Sequence, residues 1–368
     1  MRIIAAGTYD PEFARNRRLF TMLDAAGHDV ERCQVDLWGG DRFDIPNQRK
    51  STTLLNALTA YPKLVVRFMR CPKADVVLVL YPGWFDMFII SILARLRRMP
   101  VVFDIFIGLF DTVVSDRQLV SARHPVGRLC RFADWLSIRM ATRVIADTPA
   151  HADFFAASAG VSRDRIGVVW LGAQDDVFGP KPELRPIPGR ILFHGTFIRL
   201  QGIETIIRAA KLLDDDDVEL RIVGSGQEQP MVDSLLAELQ PANVKLIGRV
   251  PLEAVPEEIA QASLCLGIFG TSGKASRVVP NKLYECLAVG RPVITSDTPA
   301  IRSAFTSGEV AMVPVGDPVA LAAEIRRLLA DHDAREAIAA AGHAKYVETF
   351  SDAPLSALLE AELRSVLG

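Results

Sequence analysis

Lys282 and Glu285, on either side of one helical turn that begins near Pro280, form the chemically most specific pair in the 368-residue chain. The run from Arg277 to Thr295 reads as a short helix joined to a buried strand. Pro280 suits the first helical position, where its missing N–H has no partner to lose. Leu283, Leu287 and Ala288 give an apolar stripe, and Gly290 suits the residue just past the helix end. Val293-Ile294-Thr295 then has the β-branched character of a strand. Such a helix begins with free backbone N–H groups at Asn281, Lys282 and Leu283. With Arg277 and Lys282 beside them, they form an anion site, most naturally for phosphate. Glu285, one turn further in, is spaced to accept hydrogen bonds from sugar hydroxyls. Cation, helix end and carboxylate together are what a nucleoside diphosphate and its ribose require.

Three further loops could serve the same ligand. Phe193-His194-Gly195-Thr196 runs to Gln201-Gly202 after a strand and opens a helix, so Gly195 lets backbone approach a phosphate. An ordinary strand-to-helix loop explains it equally well. Val223-Gly224-Ser225-Gly226 also follows a strand, but Gln229 replaces the third glycine of a dinucleotide fingerprint. It reads as a tight turn facing a ligand, or as a plain turn. Gly270–Arg277 resembles half of a phosphate-binding loop without its first glycine. It either delivers Lys274 and Arg277 to phosphates or is a solvated loop.

The elements that must position these loops alternate regularly. Strand-like stretches at Ile3–Ala6, Val30–Val35, Val76–Leu80, Val101–Asp104, Arg143–Ala146 and Ile166–Val169 are separated by amphipathic ones. The pattern restarts at Arg190 and continues through Glu219–Val223, Val244–Ile247, Leu264–Ile268, Pro292–Thr295 and Val310–Val313. This predicts an α/β chain of two doubly wound, Rossmann-like domains facing a central cleft at the carboxyl ends of their strands. The boundaries expected are 1–175, a proline-rich linker at 176–189, a second domain at 190–350, and a C-terminal helix at 351–368 packing back on the first domain. Apolar residues make up 49% of the chain and charged residues 23%, so it is globular. A net charge of −2 gives no reason to expect nucleic acid as a partner. The five cysteines are scattered and the six histidines show no ligand spacing, so no metal is expected. No apolar run reaches the ~18 residues of a membrane helix. The N-terminus reads as a strand rather than a signal peptide. A cytoplasmic protein is expected, either free or peripheral on the cytoplasmic membrane face.

Together these motifs resemble the retaining glycosyltransferases of the GT-B fold, in the group 1, family 4 class. The resemblance covers nearly the whole length and is densest from Ile191 to Pro299. It implies that the second domain binds a nucleotide sugar and the first an acceptor, a sugar or a lipid-linked one, in cell-surface glycan or glycolipid synthesis. No cofactor is implied beyond the nucleotide sugar as co-substrate. Glu285 matches the second glutamate of the family's E-x7-E motif, which holds the ribose. Gly224 and Gly226 match the glycine turn near the donor, Arg249 and Val250 the turn that meets the base, and Gly7 the first strand-to-helix turn. Thr196 and Gln201 stand where the family usually has arginine and lysine, and Arg277 stands where it has the first glutamate. The expectation is that the diphosphate charge is met instead from Arg277, Lys282 and Lys274. Phe106 replaces a common histidine near the reacting sugar, which leaves Asp104 and Asp111 as candidates to accept the acceptor's proton or orient it. Helix capping explains these two acids equally well, and for Asp116 an ion pair with Arg117 is the simpler reading. A nucleotide-sugar epimerase and a non-catalytic sugar-nucleotide-binding subunit are the alternatives.

Residues Ile45–Ala74 contain no acid and carry six cations interleaved with leucines, valine, phenylalanine and methionine. Such a basic amphipathic segment suits an anionic membrane surface, with Arg95, Arg97 and Arg98 extending the patch. A helix packed on the sheet with a solvated basic face is the competing reading.

Overall fold

The computed structural model describes residues 1–37, 50–116 and 118–367, the side chains of 50–55 and 116 excepted. Ile45 to Arg49 and Arg117 therefore lie outside the described residues. The chain forms two compact units. Unit 1 is Met1–Val114, Gln118–Trp170 and Leu355–Gly368, and unit 2 is Ser115–Arg117 and Leu171–Pro354.

Unit 1 holds a six-stranded parallel sheet of order β2-β1-β3-β4-β5-β6. Its strands are β1 (Arg2–Gly7), β2 (Asp29–Gln34), β3 (Val76–Val79), β4 (Val101–Asp104), β5 (Arg143–Ala146) and β6 (Ile166–Val168). The central segments Val-Val-Leu-Val and Val-Val-Phe-Asp are buried throughout, as strands covered on both faces must be. Helices α2 (Lys50–Arg70), α3 (Asp86–Leu96), α4 (Pro125–Met140) and α5 (Pro149–Ala159) cover one face. Helix α1 (Ala14–Ala25) covers the other together with α13 (Asp352–Arg364), whose Leu355, Leu359 and Leu363 pack against Ile3, Ala5 and Val169. Spacings of four put those leucines on one stripe.

Unit 2 repeats the design with sheet order β12-β11-β10-β7-β8-β9. The strands are β7 (Arg190–His194), β8 (Glu219–Val223), β9 (Val244–Gly248), β10 (Leu264–Leu266), β11 (Val293–Ser296) and β12 (Ala311–Val313). Between them run α6 (Ile203–Leu212), α7 (Gln229–Leu239), α8 (Val255–Ala260), α9 (Asn281–Val289) and α10 (Pro299–Ala304), followed by α11 (Pro318–Ala330) and α12 (His332–Lys345). Thr148-Pro149, Thr298-Pro299 and Asp317-Pro318 start three helices in the same way. The capping side chain accepts a backbone N–H in the first turn, and the proline takes a position that needs no donor. In both sheets the chain leaves the middle in one direction and returns on the other side. This creates a switch point between β1 and β3 and another between β7 and β10.

Segment 176–189, expected as a linker, packs as part of unit 2. Just before it, Asp175 accepts from the Tyr346 hydroxyl and the Asp352 N–H, and Phe178 is buried. Further on, Ile187 exchanges hydrogen bonds with Gln261 and Ser263. The change of unit falls after Trp170, five residues before the expected boundary. Proline content marked an irregular segment here, not a detached one.

Candidate functional site

The carboxyl ends of β7, β8 and β9 carry three loops that interlock through backbone. Gly195 N–H donates to Val223 O at 2.9 Å and Phe197 N–H to Ser225 O at 3.1 Å. Gly224 N–H donates to Gly248 O at 2.7 Å. Gly224 has φ +144°, and a Cβ there would overlap the Gly195 carbonyl, so no other residue fits. Gly226 sits just as tightly under Phe197. Arg249 Nε donates to Ser225 Oγ at 2.7 Å, tying the turn after β9 to the same cluster, with Val250 half-buried beside it. Thr196 is exposed at the tip.

Helix α9 faces this cluster. Pro280 proves to be its N-cap and Asn281 its first residue, one position later than the sequence suggests; extended backbone at Pro280 accounts for the shift. Lys282 lies in the first turn, but it is not a surface cation flanking the helix end. It is 4% exposed, its Nζ donates to Gln201 Oε1 at 2.6 Å, and it sits 3.4 Å from the centre of the Phe193 ring. The ammonium thus reaches the glycine loop itself, next to Gly195. Burial pulls its pKa well below the ordinary lysine value. Leu283 is fully buried and Asn281 half-buried. Lys274 is buried, and Arg277 is half-buried with its guanidinium beside Gly273.

Glu285 lies one turn after Lys282, and its Oε2 bonds His194 Nε2 at 2.7 Å. His194 ends β7 and is buried, whereas the Glu285 carboxylate keeps 18% of its surface exposed. This pairing was not legible from histidine spacing, because the partners are 91 residues apart. Its one signal was position: a polar residue ending a buried strand immediately before the glycine loop.

In unit 1 the equivalent turn at Gly7 is pinned by a residue the sequence showed only as an interruption of an apolar run. The Asp86 carboxylate accepts from Thr8 N–H at 2.7 Å and from Thr8 Oγ1 at 3.1 Å, and it also bonds Tyr61. Gly7 has φ +140°, and a Cβ there would meet Asp86 Oδ2 at 2.5 Å. Burial raises the Asp86 pKa to about 6, against the bonds from Thr8 and Tyr61 that favour the ionised form. Between about pH 4 and 6 the folded protein holds a proton that the unfolded chain releases, so stability falls as pH rises through that window. A shift of about two units is worth on the order of 3 kcal/mol. Asp86→Asn is expected to remove this slope, read as urea midpoints at about pH 4 and pH 6.5. A variant whose midpoint falls as steeply as the parent's would refute it.

Asp104 is not placed to take a proton from a substrate. Both its oxygens accept from Arg15, at 2.8 Å for Nη2 and 3.1–3.2 Å for Nε, and both side chains are fully buried. Neither is it a helix cap: it ends β4. Asp111 is buried at the start of a wide helical turn that extends to Asp116. The Asp116–Arg117 pair lies outside the described side chains. Near Asp111, Asp134 accepts from the N–H groups of Leu109 and Phe110 at 2.8 and 2.9 Å, and burial pushes its pKa up to about 7. Phe106 has φ +46°, a strained conformation for a bulky residue, and packs against Tyr81 and Phe13.

Among the described residues, no group of three His, Cys, Asp or Glu side chains is placed to hold a metal ion. A cavity of about 750 Å³ lies at the amino ends of unit 2's strands, lined by Gly189, Asp217, Ser263 and Arg291. That is the end of the sheet away from the glycine loops, and ligands of such folds bind at the carboxyl end.

Comparison with known proteins follows the division into units. Residues 14–172 match the family model described as glycosyl transferase 4-like domain, and residues 188–331 match glycosyl transferases group 1. Phosphatidyl-myo-inositol mannosyltransferase of Mycobacterium leprae is 33% identical over 179 residues, 46% of either chain. The lipopolysaccharide core biosynthesis glycosyltransferase LpsE of Rhizobium meliloti is 26% identical over 44% of this chain and 45% of its own. The matched stretches thus span about half the length of these relatives. Sucrose-phosphate synthase of Thermosynechococcus elongatus superposes with a TM-score of 0.77 at 18% identity, covering 99% of this chain and 98% of its own. Anabaena HepE in complex with UDP-glucose gives 0.72 at 15%, covering 99% and 100%. With one family model on each unit and this fold shared over the full length, the chain belongs to the group 1, family 4-like glycosyltransferases of the GT-B fold.

Proposed function

We propose that the protein moves a sugar from a nucleoside-diphosphate sugar, held by unit 2, to an acceptor hydroxyl presented by unit 1, with retention of configuration. The observation that carries this reading is the Lys282 ammonium, buried at the start of α9 and hydrogen-bonded to Gln201 beside the Gly195 turn. A cation and a helix end aimed at one spot stabilise the charge that builds on a leaving diphosphate. Glu285, held by His194, accepts the ribose hydroxyls. The turn at Gly224–Gly226, with Arg249 and Val250, meets the base. Asn281 and Leu283 contribute backbone N–H groups. Lys274 and Arg277 border the donor sugar, and Asp111 orients the acceptor. We read the transfer as same-face attack through an ion-pair-like transition state, with no covalent nucleophile. The charge supplied by Lys282 and α9 makes a divalent metal unnecessary in this reading, and turnover in excess chelator tests that. The relatives' names, among them lipopolysaccharide core glycosyltransferases, support a place in cell-surface glycan or glycolipid synthesis.

One of UDP, GDP and ADP is expected to stabilise the protein by about 2.7 kcal/mol at a hundred times its Kd, read as a thermal shift. Stabilisation by none of the three would overturn the reading. With the matching nucleotide sugar and an acceptor, the product anomer seen by NMR is expected to match the donor's. Inversion would refute retention, and interconversion of the donor without transfer would point to an epimerase.

A further inference from the structure

Helices α2, α3 and α4 adjoin in that order on one face of the unit 1 sheet. Their inner sides are committed: Leu64, Phe68, Met87, Ile90 and Ile138 enter the core. Their outer sides share an unusual composition. The three helices contain two carboxylates, Asp86 and Asp134, and both are buried. Cations are exposed on all three, Arg70, Arg95 and Arg128 among them. Large apolar side chains are exposed between them: Leu96 is 76% exposed, Leu129 58% and Phe132 52%.

The sharpest part of this face is α4. Leu129, Phe132 and Trp135, three residues apart, form a continuous ridge, with Phe132 and Trp135 stacked at 5.7 Å. Arg128, Arg131 and Arg139 flank it, and Arg139 lies 5.1 Å over the Trp135 ring. Arginines beside exposed aromatic rings can bury their stems in an apolar layer while the charged heads stay in its polar rim. A second copy of the chain is a poor occupant, because a two-fold contact would set this acid-free surface against itself. No helix among the described residues is long and apolar enough to cross a membrane.

We propose that this face, centred on the Leu129–Phe132–Trp135 ridge, seats the protein on a bilayer that carries anionic headgroups. The inference rests on the transferase reading only in making a lipid-borne acceptor available to unit 1; the docking itself is independent of it. The test is sedimentation of the full chain with vesicles of phosphatidylcholine alone, or with about 30% phosphatidylglycerol. Binding is expected to the anionic vesicles only, and to weaken with salt. Phe132→Ser/Trp135→Ser and, separately, Arg128→Glu/Arg131→Glu are each expected to lower the bound fraction about tenfold. All four residues are exposed and outside the donor site, so the variants should keep the parent's nucleotide-induced thermal shift. Absent binding, equal binding to neutral vesicles or unchanged binding by both variants would overturn the proposal. So would a dimer in light scattering that the same substitutions dissociate. Loss of the nucleotide shift in the parent with vesicle binding intact would instead sink the transferase reading and leave the docking face standing.

Discussion

Lys282→Met is expected to lower kcat/KM for the nucleotide sugar at least about a hundredfold, with folding stability unchanged or higher. The two effects separate because the lysine is costly to the empty protein. Its ammonium is buried against the Phe193 ring, and its hydrogen bond goes to a neutral amide, Gln201. Taking a charge out of water without a bonded counter-charge is unfavourable, which is why burial pulls its pKa down. The folded protein therefore binds fewer protons than the unfolded chain between the depressed pKa and the ordinary one. Stability rises with pH across that window, and the methionine variant should lose the slope. A diphosphate reverses the balance by supplying the missing counter-charge, so donor binding should be accompanied by proton uptake. Calorimetry in two buffers of different ionisation enthalpy measures this directly. A Lys282→Met protein that is folded and turns over like the parent would remove the central residue of the proposed mechanism.

The position of Lys282 also shows what could be read in advance and what could not. Among the described residues the inner strands, such as β3, β4 and β11, lie where apolar, β-branched runs sit in the sequence, since parallel strands covered on both faces need a nearly continuous apolar composition, whereas the edge strand β2 (Asp-Val-Glu-Arg-Cys-Gln) is largely polar. The proline and glycine that bound α9 were equally legible, because they act through local backbone geometry. The direction of Lys282 was not. Its neighbours in sequence suggest a surface cation, whereas its neighbours in space, Gln201 and Phe193, are some eighty to ninety residues away. The apparent loss of a cation at Gln201 and its gain at Lys282 resolve into one location. Asp86 and His194 escaped for the same reason: each is defined by a partner across the sheet, Thr8 for one and Glu285 for the other.

Asp104 carries the second large effect. Asp104→Asn is expected to destabilise the protein by on the order of 3–5 kcal/mol, because it strips Arg15 of its carboxylate partner inside the core. Arg15 has no solvent to fall back on: its remaining bonds are to the carbonyls of Val169 and Trp170, at 2.8 and 3.2 Å. The pair nonetheless gives little net stability. Burial raises the Asp104 pKa although Arg15 opposes it, a sign that desolvation outweighs the attraction. Replacing both partners, in Arg15→Met/Asp104→Leu, is thus expected to recover most of the loss, measured as urea midpoints. The double variant also separates structure from chemistry. A general base typically contributes a hundredfold to ten-thousandfold in rate. If Asp104 only closes the core, the folded double variant should retain kcat/KM within about tenfold. If transfer vanishes while the midpoint recovers, Asp104 acts on the substrate and the buried pair must open during turnover. The pair's closeness to Phe106, whose ring lies 5.7 Å from the Arg15 guanidinium, makes KM informative as well. A rise in KM alone would mean that the ion pair holds Phe106 in its strained conformation for the acceptor, leaving Asp111 as the acid that meets the hydroxyl.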